Sequence, residues 1–177
     1  MSKAEIVYEV IKQRRSVRSY VEDPPPRKLL ERLVEVGQWA PSPSNVQSWR
    51  FIIVHESGQL SALKNLSPGF PRQATAAIVI CSDDHDTQRF SGQMRAGLVA
   101  EEAAMAAQNM LLMAHAMDYG SCPVASFSRA GITTLIGLPE HIHPVLIIAL
   151  GTPDCQPSAP VRRPPAEITH WEDYQEV

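Results

Sequence analysis

Cysteine is scarce in this 177-residue chain: Cys81, Cys122 and Cys155 stand far apart and are odd in number. No Cys-x-x-Cys pair occurs, so neither a disulfide framework nor a cysteine-ligated zinc site is indicated, and a reducing, cytosolic setting fits. Glycine contributes 9 residues, none of them in a G-x-G-x-x-G or G-x-x-x-x-G-K-[ST] pattern, which leaves Rossmann and P-loop phosphate binding unsupported. Long apolar runs are missing too. The most apolar segment, Leu98 to Met117, is broken by Glu101 and Glu102 and falls short of the roughly 18 uncharged residues of a membrane span. Met-Ser-Lys-Ala-Glu at the start lacks the basic start and apolar run expected of a signal peptide. Nor is there an excess of one charge: 16 basic residues face 19 acidic ones, for a net charge of −3. That balance offers no general attraction to nucleic acid or an anionic membrane.

What is present is an average globular composition, 44% hydrophobic and 20% charged, sufficient for one domain with its own core. Apolar spacing predicts helices over Ala4–Arg14, Arg27–Trp39, Ser57–Leu66 (capped by Ser57), Gln93–Met117 (ended by Gly120) and Arg129–Ile136. Strands are expected at Phe51–Val54, Ala77–Cys81 and Val145–Leu150, with Cys122–Phe127 a short strand or extended turn and Ser16–Val21 extended. The helix from Gln93 is apolar almost all round, which suggests burial on several sides, partly by another subunit. Prolines 153, 157, 160, 164 and 165 predict an extended arm over 152–177, attached to a domain at 1–151. Strands and helices without regular βαβ alternation indicate an α+β fold.

Twelve of the sixteen basic residues are arginines, unevenly placed. Arg14-Arg15-Ser16-Val17-Arg18 sets three guanidiniums and a hydroxyl within five residues, chemistry suited to a phosphate monoester. On an extended backbone Arg14, Ser16 and Arg18 share a face. The same segment would also serve as a solvated basic face, and a basic cluster alone does not decide between the two. Pro41-Ser42-Pro43-Ser44-Asn45-Val46-Gln47 offers amide donors and acceptors that match the edge of a planar heterocycle, or forms an ordinary connector. Arg162-Arg163 in the arm either closes over an anion or keeps a tail soluble. The small residues of Gly120–Phe127 either let backbone N–H groups approach a flat ligand or merely start a strand. His141 and His143 lack a third ligand and read as a solvated pair rather than a metal site. Glu101 and Glu102 point to different helix faces, so they are not a paired acid and base.

Taken together and in this order, these segments resemble the nitroreductase-like family of FMN-dependent flavoproteins. The likeness runs nearly end to end. It rests on Arg-Arg-Ser-Val-Arg, Ala-Pro-Ser-x-x-Asn-x-Gln-x-Trp, Gly-Ser-Cys-x-x-x-Ser-Phe, Ile-Gly-Leu-Pro-Glu, Ala-Leu-Gly-x-Pro and the late Arg-Arg-Pro. The resemblance implies a central, mainly antiparallel sheet flanked by helices, in an intertwined homodimer whose interface holds two FMN molecules. It implies that Arg14, Arg15 and Ser16 hold the ribityl phosphate, with Arg18 near the flavin pyrimidine and Arg162 or Arg163 closing from the arm. Pro41, Ser42, Ser44, Asn45 and Gln47 would reach the flavin of the partner subunit. The backbone of Pro123, Val124, Ala125 and Ser126 would line its N5 and O4 side, and Arg72 or Gln73 would be a further pyrimidine contact. No metal is implied.

The implied activity is a cytoplasmic NAD(P)H oxidoreductase that passes electrons by a ping-pong scheme to small acceptors such as nitroaromatics or quinones. The alternatives are another flavin reaction on the scaffold, such as reductive dehalogenation or flavin breakdown, and a non-catalytic flavin-binding protein. Two departures stand out. The stretch 82–92 makes the mid-chain excursion short, as in a minimal member. Ser48 stands where proline is frequent, a change expected to be without effect.

Overall fold

The computed structural model describes residues 1–174. Its centre is one antiparallel sheet of four strands, β1 (Trp49–Val54), β2 (Ala76–Asp83), β3 (Gly120–Val124) and β4 (Ile142–Gly151), in the order β1-β2-β4-β3. Around it lie α1 (Lys3–Gln13), α2 (Arg27–Gly37), α3 (Ser57–Asn65), α4 (Asp84–Thr87), α5 (Gly92–Ala116) and α6 (Arg129–Leu135). The α+β expectation holds.

β2 is buried at every position because helices cover both faces of the sheet, which is why it reads as a continuous apolar run rather than an alternating one. Alternation along the strands still sorts the core in two. Ile78, Ile80, Ile148 and Leu150 pack against Leu30 and Leu33 of α2 and Met110 of α5. Val79, Cys81, Ile147 and Ala149 face Leu60 and Leu63 of α3 and Ile132 of α6.

The differences from the sequence reading have local causes. β4 begins three residues earlier than expected because pairing with β2 carries it down to Asp83↔Ile142. The side chain of Glu56, not Ser57, caps α3, accepting the Gln59 N–H at 2.9 Å. Gly120 does not end α5. The helix stops at Ala116, Asp118 turns the chain with φ 63°, and Gly120 opens β3. There it is glycine for lack of room: a Cβ would lie 2.9 Å from Val17 Cγ1 and 3.0 Å from Tyr20 Cε1.

The arm is less free than its prolines suggest. Asp154 N–H donates to the Ser19 carbonyl, the Ser19 hydroxyl bonds the Asp154 carboxylate, and Gln156 reaches the Gln13 carbonyl. The last positions of the expected arm, 175–177, lie outside the described residues. The N-terminal segment is held from the other side. Ser16 bridges Ser121 on the edge strand β3, and buried Tyr20 donates its hydroxyl to the Val17 carbonyl at 2.6 Å.

Tyr20 packs flat over Gly151, where a Cβ would sit 2.8 Å from its ring. Gly151→Ala is therefore expected to cost about 1–3 kcal/mol by overpacking. Urea denaturation checks this, with the midpoint falling and the slope unchanged.

Candidate cofactor site

The edge strand and the arm converge on one small cavity of about 250 Å³, lined by Arg14, Arg15, Ser16, Arg18 and Arg162 together with Pro157, Ser158 and Pro160. β3 holds Ser16 through the Val17 N–H to Ser121 carbonyl bond of 3.0 Å, and the arm folds back through its bonds to Ser19 and Gln13. Among the described residues none of these four arginines has a carboxylate partner. Arg14 Nη1 and Arg15 Nε are buried without any hydrogen-bond partner. Burial, with the charges of Arg162 and Arg15 close by, pushes the Arg14 guanidinium below its ordinary value. Orphaned buried donors and unrelieved like charge are together what a bound anion removes. Arg162 lines this cavity and Arg163 is not part of its wall.

A second polar group sits in the loop before β1. Three of its non-glycine residues, Ser44, Asn45 and Gln47, adopt left-handed backbone with φ of 49°, 58° and 55°. Such conformations persist only where surroundings impose them. Here the Ser42 hydroxyl accepts the Gln47 N–H at 3.1 Å, and the Arg89 guanidinium donates to the carbonyls of Pro43 and Ser44. Pro41, Ser44, Asn45 and Gln47 are exposed, and none of the loop lines the arginine cavity of its own chain.

Behind the loop, Ser48 is built into the core of the site. Its buried hydroxyl bonds Ser82 at 3.2 Å and donates to Glu102 Oε2 at 3.3 Å. Glu102 is 3% exposed. Burial pushes its carboxyl above the ordinary value, while the N–H groups of Ser48 and Trp49 and the Ser48 hydroxyl pull the other way. A proline at 48 could supply neither the Ser48 N–H nor its hydroxyl.

Of the remaining expected residues, Pro123 is exposed within β3, Ala125 and Ser126 are exposed just past its end, and Val124 is buried. Ser126 Oγ lies where a Cβ on Gly69 would be, which brings the 67–71 loop against this segment. Arg72 and Gln73 line a separate depression of about 580 Å³ with Tyr20, His55 and Lys64. The sequence reading missed Pro157, Ser158, Arg89 and Glu102. Nothing in their spacing marks them, since each acts through a contact distant in the chain.

Comparison with known proteins now decides the family. Residues 11–68 and 56–152 match the model of the Nitroreductase family. The chain belongs to that family. Its sequence is 28% identical over 190 residues to an NADH dehydrogenase of Thermus thermophilus, covering 90% of this chain and 92% of the relative. It is 26% identical over 185 residues to an FMN reductase [NAD(P)H] of Bacillus subtilis, covering 94% and 74%. A solved nitroreductase family protein from Clostridium difficile superposes with a TM-score of 0.83 at 25% identity, over 94% of this chain and 98% of that one. NfrA1 of B. megaterium superposes with a TM-score of 0.89 at 24% identity, a likeness of fold. In this nitroreductase-family chain the arginine cavity and the left-handed loop thus stand on a shared scaffold.

The raised carboxyl of Glu102 has a definite sign. Folding favours its protonated form, so its contribution is full below the ordinary value of 4.5 and is lost as pH rises through the higher folded value. Glu102→Gln removes that loss. The stability of the variant minus that of the wild type should rise between acid and neutral pH. Denaturation curves at a series of pH values measure it.

Proposed function

We propose that the protein is an FMN-dependent NAD(P)H oxidoreductase. The observation that carries the reading is the cavity of four arginines without a carboxylate, two of whose buried donors lack partners. The donor set suits a phosphate monoester: planar guanidiniums for bidentate bonds, with the Ser16 hydroxyl among them. Arg14, Arg15, Ser16 and Arg162 would hold the FMN phosphate. FMN, when bound, supplies the two-electron chemistry, accepting hydride from a reduced nicotinamide and passing electrons to a small acceptor such as a nitroaromatic or quinone.

The chain's own part is position and charge. Arg18, on the cavity wall, would lie near the pyrimidine edge, where a cation stabilises negative charge. The backbone of the segment 123–126, with N–H donors from Val124, Ala125 and Ser126, would line the N5 side, and Arg72 or Gln73 would add a pyrimidine contact. No side chain is needed as an obligatory acid or base. Donor and acceptor would use the same open face in turn, a ping-pong order.

The loop carrying Asn45 and Gln47 completes the site of a second copy of the chain. An apolar surface supports such a homodimer. α1 buries none of its residues in the monomer, and Ile6, Val7 and Ile11 are half exposed. With Trp39, which is 79% exposed, they line a hollow against Leu112 and Met113 of α5. Uncovered apolar side chains grouped in this way are what a contact between copies would bury. No helix among the described residues is long and apolar enough to cross a membrane, and the proposed location is the cytoplasm.

Purified protein should be yellow, bleach anaerobically with NADH or NADPH, and recover its colour with a quinone or nitroaromatic. Arg14→Ala and Arg162→Ala should each weaken FMN binding by about tenfold to a hundredfold, the worth of a charged hydrogen bond. Arg18→Ala should lower the flavin potential. Protein that takes up no added FMN would overturn the assignment, and yellow protein inert to both nicotinamides would leave a binding module.

A further inference from the structure

At the end of the sheet where β1 begins, three side chains that the sequence separates come together without a part in the cofactor site. Asp83 closes β2, His85 lies in α4, and His141 immediately precedes β4. The register brings them to one place: Asp83 pairs with Ile142, and the Asp84 N–H donates to the His141 carbonyl at 2.8 Å. One ligand atom from each of Asp83, His85 and His141 lies within 4.8 Å of the others. The two imidazoles stack, with ring centres 4.2 Å apart.

We propose that Asp83, His85 and His141 form a binding site for a divalent first-row transition metal ion. Two imidazoles and one carboxylate are the donors of borderline character that such ions prefer, and three protein ligands leave positions for water. The carboxylate is already oriented. Arg50 Nη2 holds Asp83 Oδ2 at 2.7 Å and Asp86 at 2.8 Å, leaving Oδ1 turned towards α4, where it accepts the His85 N–H at 2.9 Å. A fixed partner on the second oxygen is the outer-shell support that metal-binding carboxylates use.

The local charge also admits a cation. Among the described residues the arginines paired with Asp83, Asp84 and Asp86 are Arg50 and Arg95, which leaves one negative charge when the histidines are neutral. His143, the residue that sequence spacing pairs with His141, is engaged elsewhere, on Asp84 at 3.0 Å. His85 is exposed and His141 half-buried, so an ion reaches both from solvent. It would sit directly behind the left-handed loop, since the Asp83 N–H donates to the Ser48 carbonyl at 2.8 Å.

The test is calorimetric titration of Zn²⁺ into the full-length protein, stripped of metal beforehand. A Cys155→Ser background removes the exposed thiol as a competing ligand. The expected result is one saturable site per chain. His85→Ala and His141→Ala should each weaken it by about tenfold or more, while His143→Ala leaves it nearly unchanged. Circular dichroism of each variant verifies that the fold is retained. No saturable site, or a site that both ligand variants keep, overturns the proposal.

Discussion

Four guanidiniums gathered without a carboxylate are the constraint on which the rest of the molecule turns. Arg14, Arg15 and Arg18 stand on a segment that leaves α1 and runs beside β3, and Arg162 returns from the far end of the chain to join them. Left to themselves these charges repel, and burial of Arg14 adds to the cost. The fold meets that cost with rigid packing: Tyr20 wedged over two glycines, the Ser16–Ser121 bridge, and the bonds from Asp154 and Gln156. In the proposed function the site is prepared for an anion before one arrives, and binding would spend little on reorganisation.

The loop before β1 follows the same logic with other means. Three residues in left-handed backbone are unfavourable singly, and they are imposed by the Ser42 hydroxyl, the Arg89 clamp and the buried Ser48–Glu102 contact beneath. Its exposed amide side chains make one bond within the loop, from Gln47 Nε2 to the Asn45 carbonyl at 3.4 Å, and otherwise face outward. The apolar side chains of α1 and Trp39 are likewise uncovered. A second copy would answer both, joining loop to arginine cavity and covering the apolar face, which is why the proposed function is that of a dimer.

The cluster of Asp83, His85 and His141 shows how much depends on strand register. Between residues 85 and 141 no spacing rule connects the two histidines, and the shift between Ile80 and Cys81 in the β2–β4 pairing sets which residues meet at the sheet end. The arginines and aspartates around it partition into ion pairs that hold one carboxylate in a fixed orientation. That orientation is a property of the assembled sheet edge.

Local chemistry was legible in the chain. Apolar spacing located the helices and strands to within a few residues, because periodicity and turn formers act over short distances. The ordered motifs identified the family and the arginine and Asn/Gln segments, because each is a contiguous stretch. What sequence could not decide was everything that joins distant positions. Tertiary packing chose Arg162 over Arg163 for the cavity wall, made Ser48 a buried hydroxyl with a partner 54 positions away, and drew the arm onto the N-terminal segment. Such pairings depend on the register of the sheet and on what remains uncovered once the core has formed. Those are properties of the whole fold, and no window of residues contains them.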